Sequence, residues 1–384
     1  MAWTPFRHED EDQGRHFASH QHGLRVRFDF NMVKTHRLNQ HLASRFGSFR
    51  LRALPFCVFV LAMAALAAPI NGQIVPGSMD VRWNAGSEDC KGNSDPPVQV
   101  HRYELSTLIL RQNLCVSFEG NFLYLLIGSQ KALLIDTGAV ADASKMPVAK
   151  TVLELLPSVG DAKTPLLVVH THGHTDHRDG DAQFTSLPGV EVAPFDVDGV
   201  QKFFGFKAWP NGTTRIDLGG RIVDVFPAPG HHRAHLVFYD ERTALLFTGD
   251  FLLPGRLLVE DTEADKASAA RVIAFVRDRP VSHVLGAHIE KDENGELFDW
   301  RSTYHPREHR LELTKDDLLQ LPGALDAFNG VYTRRGNFVM MNQNRVLAAE
   351  AGALLVFLML VVWGIVWLLQ RCRRRKQAGV PVGS

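Results

Sequence analysis

The sequence predicts a packed α/β domain with two layers of sheet, set between two apolar segments. Three observations carry that reading. The 384 residues are 45% hydrophobic and 22% charged with a formal net charge of zero, the composition of a chain that buries a core. Short apolar runs separated by turn residues begin at Val98 and later alternate with stretches of helical spacing, as sheet layers covered by helices require. Two uncharged stretches, Ala53 to Ala68 and Ala351 to Leu369, bracket this region. A balanced charge gives no long-range attraction to nucleic acid, so no nucleic-acid partner is expected. Four cysteines are too few for a disulfide framework.

Residues 1–52 read as a disordered, basic N-terminal region. Its first 31 residues are acidic and lack apolar periodicity, so Met32 is an alternative start. His8, His16, His20 and His22 are scattered there and expected to be solvated. Residues 53–69 hold a 16-residue apolar run preceded by Arg45, Arg50 and Arg52. Such a run is a signal peptide or a retained anchor. Residues 70–97 form a polar linker rich in turn formers.

The domain proper is expected over 98–295. Strands are predicted at Ser106–Leu110, Cys115–Phe118, Phe122–Ile127, Ala132–Ile135, Leu166–Val169 and Val190–Ala193, then at Arg221–Phe226, Leu236–Tyr239, Ala244–Phe247 and His283–Leu285. Helices are predicted at Met146–Leu156 and Ala264–Arg277. Residues 296–345 read as an appended tail.

Residues 351–369 are uncharged and, at 1.5 Å per residue, span about 28 Å, enough for a transmembrane helix. Trp363 and Trp367 lie toward its distal end, and Arg371 to Lys376 open a basic tail, 370–384, of the kind that stays cytoplasmic. With basic residues before the first apolar run and after the second, the domain between is expected outside the cytoplasm. The protein is single-pass if the first run is cleaved and two-pass if it is kept. Cys90 and Cys115 then pair or remain thiols, and Cys372 is a possible acylation site.

The chemistry concentrates in Leu166 to Gly180, LLVVHTHGHTDHRDG. A buried strand ends at Val169 and a polar loop presents His172, His174, Asp176 and His177. Two imidazoles separated by one residue can converge on one cation, and the following Asp and His point to a second. Three more ligand-type residues follow strands: His231 after Pro229-Gly230, Asp250 after Thr248-Gly249, and His288 after Gly286-Ala287. Strand ends are where α/β sites gather.

HTHGHTDH followed by PGH, TGD and GAH resembles the metallo-β-lactamase superfamily, with its H-x-H-x-D-H loop and an early D-T-G element matched by Asp136-Thr137-Gly138. The resemblance covers roughly residues 105 to 290 and implies an αββα sandwich with two metals at one sheet edge. It implies His172, His174 and His231 as ligands of the first metal, Asp176, His177 and His288 at the second, and Asp250 as the bridge. Asp136 is implied as a support of the ligand loop. Asp250, where two subclasses of β-lactamase carry Cys, and His174, where flavodiiron members carry Glu, place the ligand set nearest glyoxalase II, acyl-homoserine lactonases and RNase Z. Export argues against the intracellular substrates of glyoxalase II and RNase Z.

The implied cofactors are two divalent ions, zinc first, with iron or manganese as alternatives. They lower the pKa of a shared water from 15.7 toward about 7, and Asp176 is the expected catalytic proton acceptor. The expectation is a membrane-anchored hydrolase of a small-molecule ester, thioester, lactone, amide or phosphoester. The alternative is a metal-binding or sensing protein on the same fold. Around the site, His170 is read as holding the loop, His232 and His235 as possible lining, and His283 as structural. Val200–Trp209 is read as packing or a lid, Arg256 as surface or an anion contact, and Tyr304 and His305 as part of the tail.

Overall fold

Most strands bury both faces; Thr107–Gln112, Ala132–Ile135 and Leu245–Gly249 are buried throughout. Each sheet must therefore be covered on two sides. The computed structural model describes residues 73–160 and 162–378, which lie in one unit, Pro69–Ser384. The expectations for residues 1–52 and for the first apolar run lie outside the described residues.

The first sheet contains β1 (Val98–Glu104), β2 (Thr107–Gln112), β3 (Phe122–Ile127), β4 (Ala132–Ile135), β7 (Leu166–Val169) and β8 (Val190–Val192), in that spatial order. Its first four strands are an antiparallel meander, and β7 and β8 continue it in parallel. A small hairpin of β5 (Ser158–Val159) and β6 (Ala162–Lys163) lies before β7. The second sheet is built from β9 (Thr214–Asp217), β10 (Ile222–Pro227), β11 (Leu236–Asp240), β12 (Leu245–Gly249), β14 (His283–Gly286) and β15 (Glu312–Leu313). It runs in the spatial order β15-β14-β12-β11-β10-β9. A three-stranded sheet joins β13 (Arg256–Leu258) to β17 (Phe338–Met341) and β16 (Tyr332–Arg335).

The two large sheets face each other across a core that includes Ile109, Tyr124, Leu133 and Val169 from one side and Val223, Phe238, Leu245 and Phe247 from the other. Helix α1 (Val148–Leu155) covers the outer face of the first sheet through Val148, Ala149 and Val152. Two short helices follow, α2 (Thr175–Arg178) and α3 (Val197–Phe204). Helices α4 (Thr262–Val276) and α5 (Lys315–Ala327) cover the second sheet through Ala269, Val272, Val276, Leu318 and Leu321. Asp261 caps α4 by accepting from the Ala264 amide, and Thr314 and Asp317 form a capping box on α5. The result is the αββα order that the resemblance implies.

One strand assignment is corrected. Cys115–Phe118 is a turn: the Asn113 side chain accepts from the Cys115 amide, and its carbonyl accepts from Val116 and Ser117. Asn113 therefore offers this stretch a local alternative to a ladder, and Cys115 is joined to Cys90 by a disulfide. β1, β9, β13, β15, β16, β17 and α3 were not expected. The segment read as a linker runs along the domain from residue 73, with Met79 and Trp83 packed on the core. The residues read as a tail contribute β15, α5, β16 and β17 to the same unit. Val200–Trp209 is packing: Val200 and Phe206 are buried in the core, with Phe203, Phe204 and Trp209 against it.

The chain ends in α6 (Gln343–Ala378). Among the described residues its Gln343–Arg371 part is the one helix long and apolar enough to cross a membrane, and none of its most apolar window is buried.

Candidate metal centre

Parallel alignment makes β4 and β7 end together, and β12 and β14 end together. β10 shares their direction because β11, between β10 and β12, is antiparallel to both. The turns after β4, β7, β10, β12 and β14 therefore meet at one edge of the sandwich. The loop after β7 is pinned by the Thr171 carbonyl, which accepts from the Leu236 amide at 2.7 Å, and by Arg178 Nε, which donates to the Gly173 carbonyl at 2.9 Å. Gly249 has φ of +51°, and a Cβ there would lie 2.7 Å from Thr171. Only glycine lets the chain pass that close before turning Asp250 inward.

His172, His174 and His231 form one cluster. His174 Nδ1 lies 2.9 Å from His172 Nε2 and 3.1 Å from His231 Nε2, and the two Nε2 atoms are 3.1 Å apart. Tetrahedral ligands at about 2.0–2.1 Å from an ion stand roughly 3.3 Å apart, so the triangle fits such an ion. Burial, with neighbouring histidines, holds His172 well below the usual imidazole range and pushes His174 down to about 3. Both are therefore neutral and ready to bind a metal.

Asp176, His177, Asp250 and His288 form the second cluster. His177 Nε2 is 3.0 Å from Asp176 Oδ2 and 3.4 Å from Asp250 Oδ2. His288 Nε2 is 3.4 Å from Asp176 Oδ2 and from Asp250 Oδ1. Asp250 Oδ2 also reaches His231 Nε2 at 3.5 Å, so one carboxylate faces both clusters. Burial opposes ionisation of Asp176 and Asp250, yet His177 and His288 hold both carboxyls well below their usual range. Burial likewise opposes charge on His288, but the Asp250 and Asp176 carboxylates lift it to about 10. His177 is raised in the same way by Asp176, Asp250 and Asp136. The second cluster is thus a strongly cation-seeking field. His177 Nε2 and Asp250 Oδ1, both buried, have no hydrogen-bond partner, which is costly unless a ligand satisfies them. Two carboxylates and five imidazoles with such orphaned donor atoms fit two divalent ions.

The other ring nitrogens are fixed by groups around the clusters. Asp136, at φ of +64°, accepts from the Thr171 amide at 2.7 Å and hydroxyl at 2.8 Å, and meets His177 Nδ1 at 2.9 Å. His231 Nδ1 is 2.9 Å from the Leu258 carbonyl, and His288 Nδ1 is 2.8 Å from that of Glu119. Each leaves Nε2 free to face the cluster.

Sequence reasoning missed Thr171, these two carbonyls and Asn121, whose Nδ2 lies 3.4 Å from His288 Nε2. Backbone carbonyls carry no side-chain signal, and Asn121 stands alone before a strand.

His170 meets Asp181 at 2.9 Å, and Thr137 donates to the same oxygen, so it braces the loop and faces away from the clusters. His235 is buried, stacks on His172 at 5.1 Å, and has no partner at either ring nitrogen. His232 lies 5.0 Å from His174, ring to ring. His283 packs edge-on to Tyr103. Arg256 pairs with Glu290 and lies over Trp300, while His305 pairs with Glu308 and stacks on Phe298; neither is brought to the clusters.

Among proteins of known activity, the chain is 32% identical over 136 residues to a hydroxyacylglutathione hydrolase of Synechococcus sp., covering 35% of this chain and 50% of the relative. It is 26% identical over 220 residues to the acyl-coenzyme A thioesterase MBLAC2 of Homo sapiens, covering 47% of this chain and 77% of the relative. The chain thus spans about half the length of the hydroxyacylglutathione hydrolase it matches. Among solved structures, a metallo-beta-lactamase from Pontibacter korlensis aligns with 60% of this chain and 100% of its own, at 18% identity and a TM-score of 0.39. The model of the metallo-beta-lactamase superfamily matches residues 118–288, the stretch that supplies all seven clustered side chains.

Proposed function

We propose that the chain is a membrane-anchored hydrolase that uses two divalent ions, zinc foremost, to cleave an acyl bond outside the cytoplasm. The observation that carries this reading is the convergence of all seven ligand-type side chains into two clusters that share Asp250. Relatives named for hydrolysing hydroxyacylglutathione and acyl-coenzyme A act on thioesters, so a thioester heads the substrate classes, ahead of ester, lactone, amide and phosphoester.

Ions bound at the two clusters would polarise the scissile carbonyl and make a water acidic near neutral pH. His172, His174 and His231 would hold the first ion and Asp176, His177 and His288 the second, with Asp250 facing both clusters. Asp136 keeps His177 in the tautomer that leaves Nε2 available. Asp176 keeps 22% of its side chain exposed, more than the buried histidines around it. Its carboxylate would take the proton of the attacking water and pass it to the leaving group as the carbon–sulfur bond breaks. No Ser or Cys nucleophile is needed.

The membrane reading rests on α6. Leu354, Phe357 and Trp363 are each more than half exposed, and a continuous apolar surface of this length is stable only in an apolar environment. The basic run from Arg371 to Lys376 then stays cytoplasmic and the metal centre lies on the other side. The Cys90–Cys115 disulfide supports an oxidising compartment.

The full-length protein in detergent, loaded with zinc and assayed on a panel of thioesters, esters, lactones and phosphoesters, tests the proposal. The expected result is about two ions per chain, with hydrolysis lost on chelation and restored by metal. No more than traces of metal after loading ends the enzyme reading. Stoichiometric metal without turnover on any class favours the sensing alternative.

A further inference from the structure

The segment 258–261 touches the metal centre on one side and the start of α6 on the other. On the inner side, the Leu258 carbonyl accepts from His231 Nδ1 at 2.9 Å, and the Asp261 amide donates to the Gly230 carbonyl at 2.9 Å. On the outer side, the Val259 amide donates to the Met341 carbonyl at 2.8 Å. Asn342 Nδ2 donates to the Val259 carbonyl at 2.9 Å and to the Glu260 carbonyl at 3.2 Å. β13 and β17 run in parallel into this joint, with Leu258 opposite Met341.

Asn342 is 8% exposed and uses every polar atom. Its amide donates to the Val331 carbonyl, its Oδ1 accepts from the Arg345 amide at 3.1 Å, and its carbonyl accepts from the Val346 amide. The last two are the bonds of a helix N-cap. A cap needs only the acceptor oxygen. The two bonds from Nδ2 are not part of capping, and both close on the strip that orients His231.

We propose that Asn342 is a positioning residue for the first metal cluster, locking residues 258–261 so that the direction of His231 Nε2 is tied to the first turn of the anchoring helix. The inference rests on the reading of His231 as a metal ligand. A ligand imidazole is held by the partner of its other nitrogen, and loss of such a partner commonly weakens metal binding about 10–100-fold. Asn342 acts one step further out, so a smaller loss of roughly 3–10-fold is expected.

The test compares Asn342→Ala, Asn342→Asp and His231→Ala in the full-length protein in detergent. Zinc affinity is read by competition with a chromophoric chelator, and ligand geometry by the visible absorption of bound cobalt. Asp retains the capping oxygen and lacks the donor, which separates clamp from cap if the Ala variant folds poorly. The expected result is that both Asn342 variants weaken the tighter zinc site and alter the cobalt spectrum, while His231→Ala removes that site. An Asp variant with wild-type affinity and spectrum makes Asn342 a helix cap alone and overturns the proposal. If His231→Ala itself leaves metal binding unchanged, the metal-centre reading falls first, and the clamp with it.

Discussion

Asp136→Asn separates the group that orients a ligand from the ligand itself. Asp136 belongs to neither cluster, yet its carboxylate takes the Thr171 amide and hydroxyl and meets His177 Nδ1. Asparagine tolerates the left-handed backbone at this position, so the main chain has no reason to move. One carboxamide cannot replace both acceptor oxygens. If its oxygen stays on the Thr171 amide, its NH2 faces His177 Nδ1. That ring nitrogen must then accept, and the proton moves to Nε2, the atom aimed at Asp176 and Asp250.

A protonated Nε2 cannot bind a metal, so the second site loses one ligand in its favoured tautomer. Loss of an orienting partner costs about 10–100-fold in metal affinity, or roughly 1.4–2.8 kcal/mol. His172, His174 and His231 do not touch Asp136, so the first site should keep its ion. The assay is stepwise zinc release to a chelator of graded strength, with metal counted per chain. One tight ion and one weakened ion is the expected result. Two ions held as in the wild type would show that Asp136 does not set the His177 tautomer, and the orientation argument would fail.

Asp176→Asn should lower turnover on a confirmed substrate by roughly 10²–10⁴-fold while the first ion is retained; near-full activity would exclude Asp176 as proton acceptor. Asp265, 5% exposed beneath the Gly230 turn, has its carboxyl raised well above the usual range by burial and then by Asp261. The folded state therefore holds a proton that the unfolded chain releases near pH 4, and stability falls as pH rises above that point. Asp265→Asn should remove the slope, raising the melting temperature at pH 7–8 with no gain below about pH 4; parallel melting curves at all pH values would refute it. Replacing Cys90 and Cys115 together by serine opens a loop closed across a separation of 25 residues and should cost about 3.5 kcal/mol, read by denaturation; an unchanged midpoint would contradict it. A reporter placed after Lys376 should behave as cytoplasmic and one inserted at 73–97 as exported, and the reverse pattern would overturn the topology.

What the sequence reveals follows burial and side-chain chemistry. β3, β4, β7, β11 and β12 are read to within a residue or two because their apolar runs serve two buried faces. β1 is polar at most positions and buries only Val98 and Tyr103, so its pattern is weak. β16 presents Tyr332, Arg334 and Arg335 to solvent and is a strand only because β17 pairs with it. Cys115–Phe118 is apolar enough for a strand, but the Asn113 side chain closes a turn first. Such outcomes are decided by partners far away in sequence or by one side chain, and neither appears in a hydrophobic pattern.

The clusters were legible for a different reason. His, Asp and Gly at the end of an apolar strand are conspicuous one at a time, and shared strand direction brings those ends together. The groups that make the clusters work are mostly invisible by the same logic. Leu258 and Glu119 act through carbonyls, which every residue possesses, and Thr171 acts through an amide and a hydroxyl between two histidines that draw the eye. Asn342 looks like an ordinary helix cap until its second pair of bonds is traced to Val259 and Glu260. The ligands determine which ions fit. The carbonyls and amides behind them determine which imidazole nitrogen is offered, and at His231 that choice runs through the strip joined to the start of α6.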